Sequence, residues 1–195
     1  LVSHMVNITG QILPIRKICD MAHARGVEVL VDGAHTFAHL NFSIPDLGCD
    51  YFGASLHKWL STPLGAGILY VRKDKQAGLW ALMADWEMKD DITHLAHTGT
   101  HPVATDLAVL DAIAYHEALG AERKEARLRY LQTYWTSQVR DANNIVVNTP
   151  ADPGRACGIA NVGIRHMKPA DLAKTLLERY NIWTVAIDGQ GVRGC

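Results

Sequence analysis

The chain has 195 residues, a formal net charge of −1, 48% hydrophobic residues and 20% charged residues. That is the profile of a globular protein with material for one sizeable core or two smaller ones. Basic residues are balanced by acidic ones and form no basic stripe, and no apolar run is long enough to span a membrane, so neither nucleic acid nor a bilayer is the expected partner.

In chain order, a polar opening leads to a helix predicted from Leu13 to Arg25, with Pro14 in its first turn and Ile15, Ile18, Cys19 and Ala22 on one face. Gly26 stops it, and Val27 to Val31 follows as a strand apolar enough to be covered on both faces. A second strand is expected over Asp50 to Ala54 and a third over Ile68 to Val71, after a turn at Pro63 to Gly67. Residues 76–102 have poor periodicity and read as a long, ordered connection. Helices are predicted from Thr105 to Leu119 and from Ala121 to Val139, the second much more charged. Strands at 145–147, 158–164 and 182–187, with a helix from Pro169 to Tyr180, complete the pattern. This order implies an α/β domain over residues 1–120 and a smaller α+β domain over 121–195.

Cys19, Cys49, Cys157 and Cys195 are scattered without a CxxC pair, the usage of buried, reduced thiols in a cytoplasmic protein. The sequence opens without Met and stops soon after a strand-like run, so a piece cut at both ends is expected. The tryptophans Trp80, Trp86, Trp135 and Trp183 are expected to pack in a core or an interface.

Two motifs carry chemistry. Asp32-Gly33-Ala34-His35 follows the first strand, and Ser55-Leu56-His57-Lys58-Trp59 follows the second. If those strands are parallel neighbours, both motifs emerge at carboxyl edges, where open α/β sheets bind ligands. A carboxylate and an amine in one crevice suit Schiff-base chemistry, provided the amine is desolvated enough to be nucleophilic. A plain surface lysine fits the same spacing. So does a metal-dependent hydrolase built on Asp32, His35 and His39, two imidazoles one helical turn apart. That reading lacks a glutamate between the histidines and leaves the lysine motif unexplained.

These two motifs, with Pro63, Gly65 and Gly67 after them, Ser3-His4-Met5-Val6-Asn7-Ile8-Thr9-Gly10 before them and Thr98-Gly99-Thr100 beyond, resemble the class V aminotransferase family of pyridoxal-phosphate enzymes. The resemblance implies a three-layer α/β/α large domain with a mostly parallel sheet. It also implies roles. Lys58 resembles the lysine that forms the Schiff base with the cofactor and moves the substrate Cα proton. Asp32 resembles the carboxylate that keeps the pyridine nitrogen protonated, so that the ring can take up electrons. Asn7 and His35 match positions near the phenolic oxygen and ring, and Ser55 and His57 match phosphate contacts. Thr100 matches a threonine that reaches the cofactor of a second subunit, which implies a homodimer. Arg193 is a candidate for gripping the substrate carboxylate. His35 and Trp59-Leu60 look more like the isopenicillin N epimerase-like branch than the cysteine desulfurases, with a C–S lyase as the alternative. Cys195 has no recognisable loop around it for a desulfurase nucleophile.

Overall fold

The computed structural model describes residues 1–83, 91–96, 99–189 and 192–194, with only the backbone of Val192 and Arg193. Among these residues the chain divides into two compact units. The first is Leu1–His4 with Pro14–Gly120, and the second is Met5–Leu13 with Ala121–Cys195. Residues 5–13, read from sequence as part of the first domain, therefore group with the second unit. The reason is local. Met5 bridges Ile12, Ile12 N–H donates to the Arg155 carbonyl at 2.8 Å, and Gly10 lies so close to the Ile159 carbonyl that a Cβ would sit 2.3 Å from it. Gly10 also has φ +71°, a second reason for glycine there.

In the first unit, four strands form one sheet in the order β1 (Val2–Ser3), β2 (Leu30–Asp32), β3 (Tyr51–Ser55), β4 (Gly67–Val71). β1, β2 and β3 run parallel, with Leu30 opposite Tyr51 and Asp32 opposite Gly53, while β4 returns antiparallel to β3. This is the predicted α/β class with a mostly parallel sheet. Alternation along the strands decides burial: Val31, Phe52 and Ala54 are buried, while Leu30 and Asp32 face outward. The segment Val27 to Val31 is thus not covered on both faces as its composition suggested, for Val27 and Leu30 are exposed. α1 (Ile15–His23) buries Ile15 and Cys19, and α2 (Val103–Leu119) brings Ala112 and Val109 onto a cluster with Leu56, Leu60 and Ala66.

At the amino ends of β2 and β3, buried Asp50 ties three elements together. Its Oδ2 accepts from Val29 N–H at 2.7 Å and from His23 Nε2–H at 2.8 Å, and its Oδ1 lies 2.9 Å from Arg72 at the end of β4. Burial alone would raise this carboxyl's pKa, but the hydrogen bonds from His23 and Val29 and the Arg72 charge outweigh it and hold the pKa below its ordinary value. At the opposite edge, His4 follows β1. Its ring is buried edge-on against Phe42, its Nδ1 has no partner, and burial lowers its pKa from 6.5 to about 4.

In the second unit, α3 (Ala121–Val139) precedes an antiparallel pair, β5 (Ile145–Val147) and β6 (Val162–Ile164). Arg129 of α3 pairs with Glu125 at 2.6 Å and donates to the carbonyls of Pro153 and Ala156. α4 (Pro169–Tyr180) leads to a hairpin of β7 (Ile187–Gly189) with β8 (Val192–Gly194). The strand predicted over 182–187 does not form. Asn181 takes a left-handed cap conformation, and Ile182 N–H turns back to the Leu176 carbonyl. Ile182, Trp183 and Val185 then stand exposed, because β-forming side chains make no strand without a partner. Trp80 and Trp183 are 95% and 73% exposed rather than packed in a core, and Trp86 lies outside the described residues. Cys19, Cys49 and Cys157 are buried and free, and Cys195 lies outside the described residues. Among the described residues no helix is long and apolar enough to cross a membrane.

These two titratable groups act in different pH windows. The folded pKa of His4 lies below its unfolded value, so its cost starts as pH falls below 6.5 and grows until about pH 4. It should remove roughly 3 kcal/mol of stability across that window, and His4→Phe should flatten that limb in urea titrations followed by circular dichroism. Asp50 has a depressed folded pKa, so its contribution is intact above the ordinary carboxylate range and is lost only as pH falls through the lower folded value. Asp50→Asn should cost roughly 2–3 kcal/mol at neutral pH in the same assay.

Candidate active site

The crevice is built at the carboxyl edges of β2 and β3, which the parallel pairing brings side by side. Asp32 closes β2 with its side chain exposed, and its Oδ1 accepts from Ala34 N–H at 3.0 Å, which orients the carboxylate. Gly33 next to it has no alternative: a Cβ there would lie 1.8 Å from the Phe52 ring. The chain can pass over that buried ring only without a side chain, so the glycine of the aspartate motif is fixed by packing beneath the site. From Gly33 the backbone coils through residues 34–40, with Thr36 and Phe37 N–H both bonded to the Gly33 carbonyl.

Lys58 lies on the loop joining β3 to β4. Leu56 N–H donates to the Ala66 carbonyl at 3.1 Å and closes the loop at its base, while Leu56 and Leu60 are buried on either side of the lysine. Two apolar anchors thus hold a short segment that presents Lys58 outward. Its Nζ is 3.2 Å from His35 Nε2, which joins the two motifs. Lys58 is exposed, the placement that a plain surface-lysine reading of the spacing also allows.

His35 is the centre of the arrangement. Burial first, and then the Lys58 charge, lower its pKa from the ordinary value, with Asp32 pulling the other way. Trp59 Nε1–H donates to His35 Nδ1 at 3.5 Å, and His39 Nδ1–H donates to the His35 carbonyl at 2.7 Å. His39 is buried and stacked on Trp59, with ring centroids 3.6 Å apart. The four-residue spacing that suggested a metal pair therefore serves a ring-to-backbone bond. Among the described residues no three histidine, cysteine or acidic side chains converge to hold a metal. Sequence reasoning missed Trp59 and His39 as partners of His35. The HxxxH spacing and the tryptophan beside the lysine are the signals that could have found them.

Ser55, half-buried at the end of β3, lines a cavity of about 190 Å³ with Asp32, Ala34 and Gly53; His35 and Lys58 do not line it. His57 is half-buried one residue before the lysine. Thr100 stands exposed just ahead of α2, and no described contact joins it to the crevice. Asn7 is exposed in a turn of the second unit. The side chain of Arg193 lies outside the described residues, with its backbone paired to Asp188. A larger cavity of about 550 Å³ in the second unit, lined by Asn148, Arg165, His166 and Lys168 among others, includes none of the predicted residues.

A carboxylate at the end of one strand, and beyond the end of its parallel neighbour an amine that meets an imidazole, are the arrangement of an α/β protein that binds a small ligand at its sheet edge. The family model for Aminotransferase class-V matches residues 1–192, and the chain belongs to that family. Isopenicillin N epimerase of Amycolatopsis lactamdurans is 32% identical over 168 residues, 78% of this chain and 42% of that protein. The epimerase of Streptomyces clavuligerus is 28% identical over 92% of this chain and 50% of its own length. A probable cysteine desulfurase of Halalkalibacterium halodurans is 28% identical over 90% of this chain and 45% of its own length. The chain thus spans about half the length of these curated relatives. Among solved structures, a cysteine desulfurase from Escherichia coli superposes with a TM-score of 0.78 at 20% identity, covering 91% of this chain and 46% of that one. Alanine–glyoxylate aminotransferase from Nostoc sp. gives 0.79 at 16% identity, covering 100% and 54%. These last two establish the fold alone.

Gly33→Ala should destabilise the protein by roughly 1–3 kcal/mol through overpacking against Phe52, read as a lower urea midpoint. An unchanged midpoint would contradict the close approach described here.

Proposed function

We propose that this chain carries the lysine and the ring-facing carboxylate of a pyridoxal-phosphate enzyme acting on an amino-acid substrate, of the isopenicillin N epimerase-like kind. The observation that supports this reading above others is the 3.2 Å approach of Lys58 Nζ to His35, on strand ends that also carry Asp32. The residues fit the cofactor by the chemistry of their donors. Asp32 offers an oriented carboxylate to a pyridinium nitrogen. Ser55 and His57 supply a hydroxyl and an imidazole for a phosphate dianion, and Lys58 supplies an amine for a carbonyl. When bound, the cofactor serves as an electron sink for a bond broken at the substrate Cα.

The chain's own contribution is holding and moving protons. Asp32 would hold a proton on the pyridine nitrogen of a bound cofactor. Lys58, on its anchored loop, would supply the amine that holds the cofactor and would take and return a proton at the substrate Cα. His35 stands beside the amine as a group that burial and the Lys58 charge bias towards neutrality, and it orients whatever accepts from it. Asn7 near the phenolic oxygen, Arg193 for the substrate carboxylate, and Thr100 reaching a second subunit's cofactor in a homodimer complete the reading. The buried thiols Cys19, Cys49 and Cys157 suit a cytoplasmic setting. A cysteine desulfurase or related C–S lyase is the second reading, favoured by the desulfurases among the relatives. An amino-acid screen for racemisation, sulfur release and amino transfer separates the two.

Borohydride reduction of the cofactor-loaded protein, followed by peptide mapping, should place the label on Lys58. A label on any other lysine would overturn the assignment. Asp32→Asn should retain cofactor absorbance yet reduce kcat on the order of 10²-fold, and near-normal turnover would remove Asp32 from its role.

A further inference from the structure

The second unit holds a buried polar cluster that takes no part in the crevice. Asn161 and Thr149 are each 1% exposed. Asn161 is tied at both backbone and side chain: its N–H donates to Thr149 Oγ1 at 2.8 Å, its carbonyl accepts from Asn148 N–H at 2.9 Å, and its Oδ1 accepts from Asn148 Nδ2–H at 2.6 Å. Thr149 is held in turn, its carbonyl accepting from Arg140 at 3.0 Å. A buried network satisfied in this way is rigid, and it gives the Asn161 carboxamide one orientation.

That orientation sets Oδ1 against Gly194. A Cβ on Gly194 would lie 2.3 Å from Asn161 Oδ1 and 2.6 Å from the Val162 carbonyl oxygen, and Gly194 is buried. Gly194 sits in β8, so glycine is needed here for close approach rather than for a left-handed backbone. β8 is also paired with β7, Asp188 opposite Arg193 and Ile187 opposite Gly194. A hairpin so short is marginal by itself, and its seat on Asn161 and Val162 is what fixes it in place. Arg193 directly precedes Gly194, so the seat that sets the backbone of one sets that of the other.

We propose that Asn161 is a positioning residue: its carboxamide seats Gly194 and thereby sets the backbone that carries Arg193, the group that grips the carboxylate of an amino-acid substrate. This rests on the reading of Arg193 as that grip. A guanidinium meets a carboxylate in a two-bond fork, a geometry that tolerates little displacement of the backbone beneath it. Asn161 acts through Arg193 rather than on the substrate itself.

The first measurement needs no substrate. Amide ¹H–¹⁵N spectra of the intact protein should show the Arg193 and Gly194 resonances displaced in Asn161→Ala, with those of β2 and β3 unmoved. The second uses cofactor-loaded protein and whichever common amino acid most changes the cofactor absorbance of the wild type. Asn161→Ala should raise the Kd of that amino acid about tenfold with cofactor affinity unchanged, and Arg193→Ala should raise it at least as much. The double variant should lose no more than Arg193→Ala alone, because a misplaced arginine and a missing one forfeit the same contact. If Asn161→Ala does not fold, Asn148→Ala takes its place, since it frees the carboxamide without shortening it. Losses that add in the double variant overturn the proposal, as do Arg193 and Gly194 amides that stay in place in a folded variant. An Arg193→Ala protein with wild-type affinity overturns the arginine reading, and with it the catalytic meaning of the seat, while the amide shifts decide the seating by themselves.

Discussion

The parallel pairing of Leu30–Asp32 with Tyr51–Ser55 is the constraint on which the crevice depends. It sets Asp32 opposite Gly53 and sends two unrelated stretches of sequence out of the same sheet edge. A slip of one residue would turn Asp32 inward and Val31 outward, because side chains alternate along a strand. The register is held from below by Phe52, whose ring lies where a side chain at position 33 would have to go. It is held at the far end by Asp50, which takes a hydrogen bond from Val29 just before β2 and an ion pair from Arg72 just after β4. Asp32 and Lys58 contribute little to this frame: both are exposed, and their positions are set by buried neighbours.

Much of this was legible in the sequence, and the exceptions have physical causes. Gly26 and Gly120 marked the ends of α1 and α2, periodicity located α3 and α4, and the two strand-end motifs do leave the sheet at neighbouring carboxyl edges. Exposure was less legible. Composition cannot tell which face of a strand another element covers, so the exposure of Leu30 is not legible in it. The run 182–187 has strand-forming side chains, but the helix cap at Asn181 takes the Ile182 N–H, and among the described residues no partner strand lies alongside. The grouping of residues 5–13 with the second unit depends on a backbone contact at Gly10 with Ile159, some hundred and fifty residues away, and local patterns carry no information at that range. His35, Trp59 and His39 were each singled out for separate reasons, whereas their mutual contact is a product of two loops folding against each other.

Within the Aminotransferase class-V family, the relatives named above include epimerases and desulfurases, and the fold is shared with an aminotransferase. In this chain the His35 imidazole beside Lys58 meets the Trp59 indole, and the His39 ring stacks on that indole in turn.

The reversal of direction between β3 and β4 has a consequence for how the two ends of the sheet respond to acid. Because β4 runs antiparallel, Arg72 ends up beside Asp50 at the amino end of β3, while the lysine motif follows its carboxyl end. His4, whose backbone N–H is bonded to the Asp32 carbonyl, sits instead at the crevice edge. A histidine kept neutral by burial thus lies at the crevice end of the strands, and a carboxylate held charged by His23, Val29 and Arg72 lies at the other.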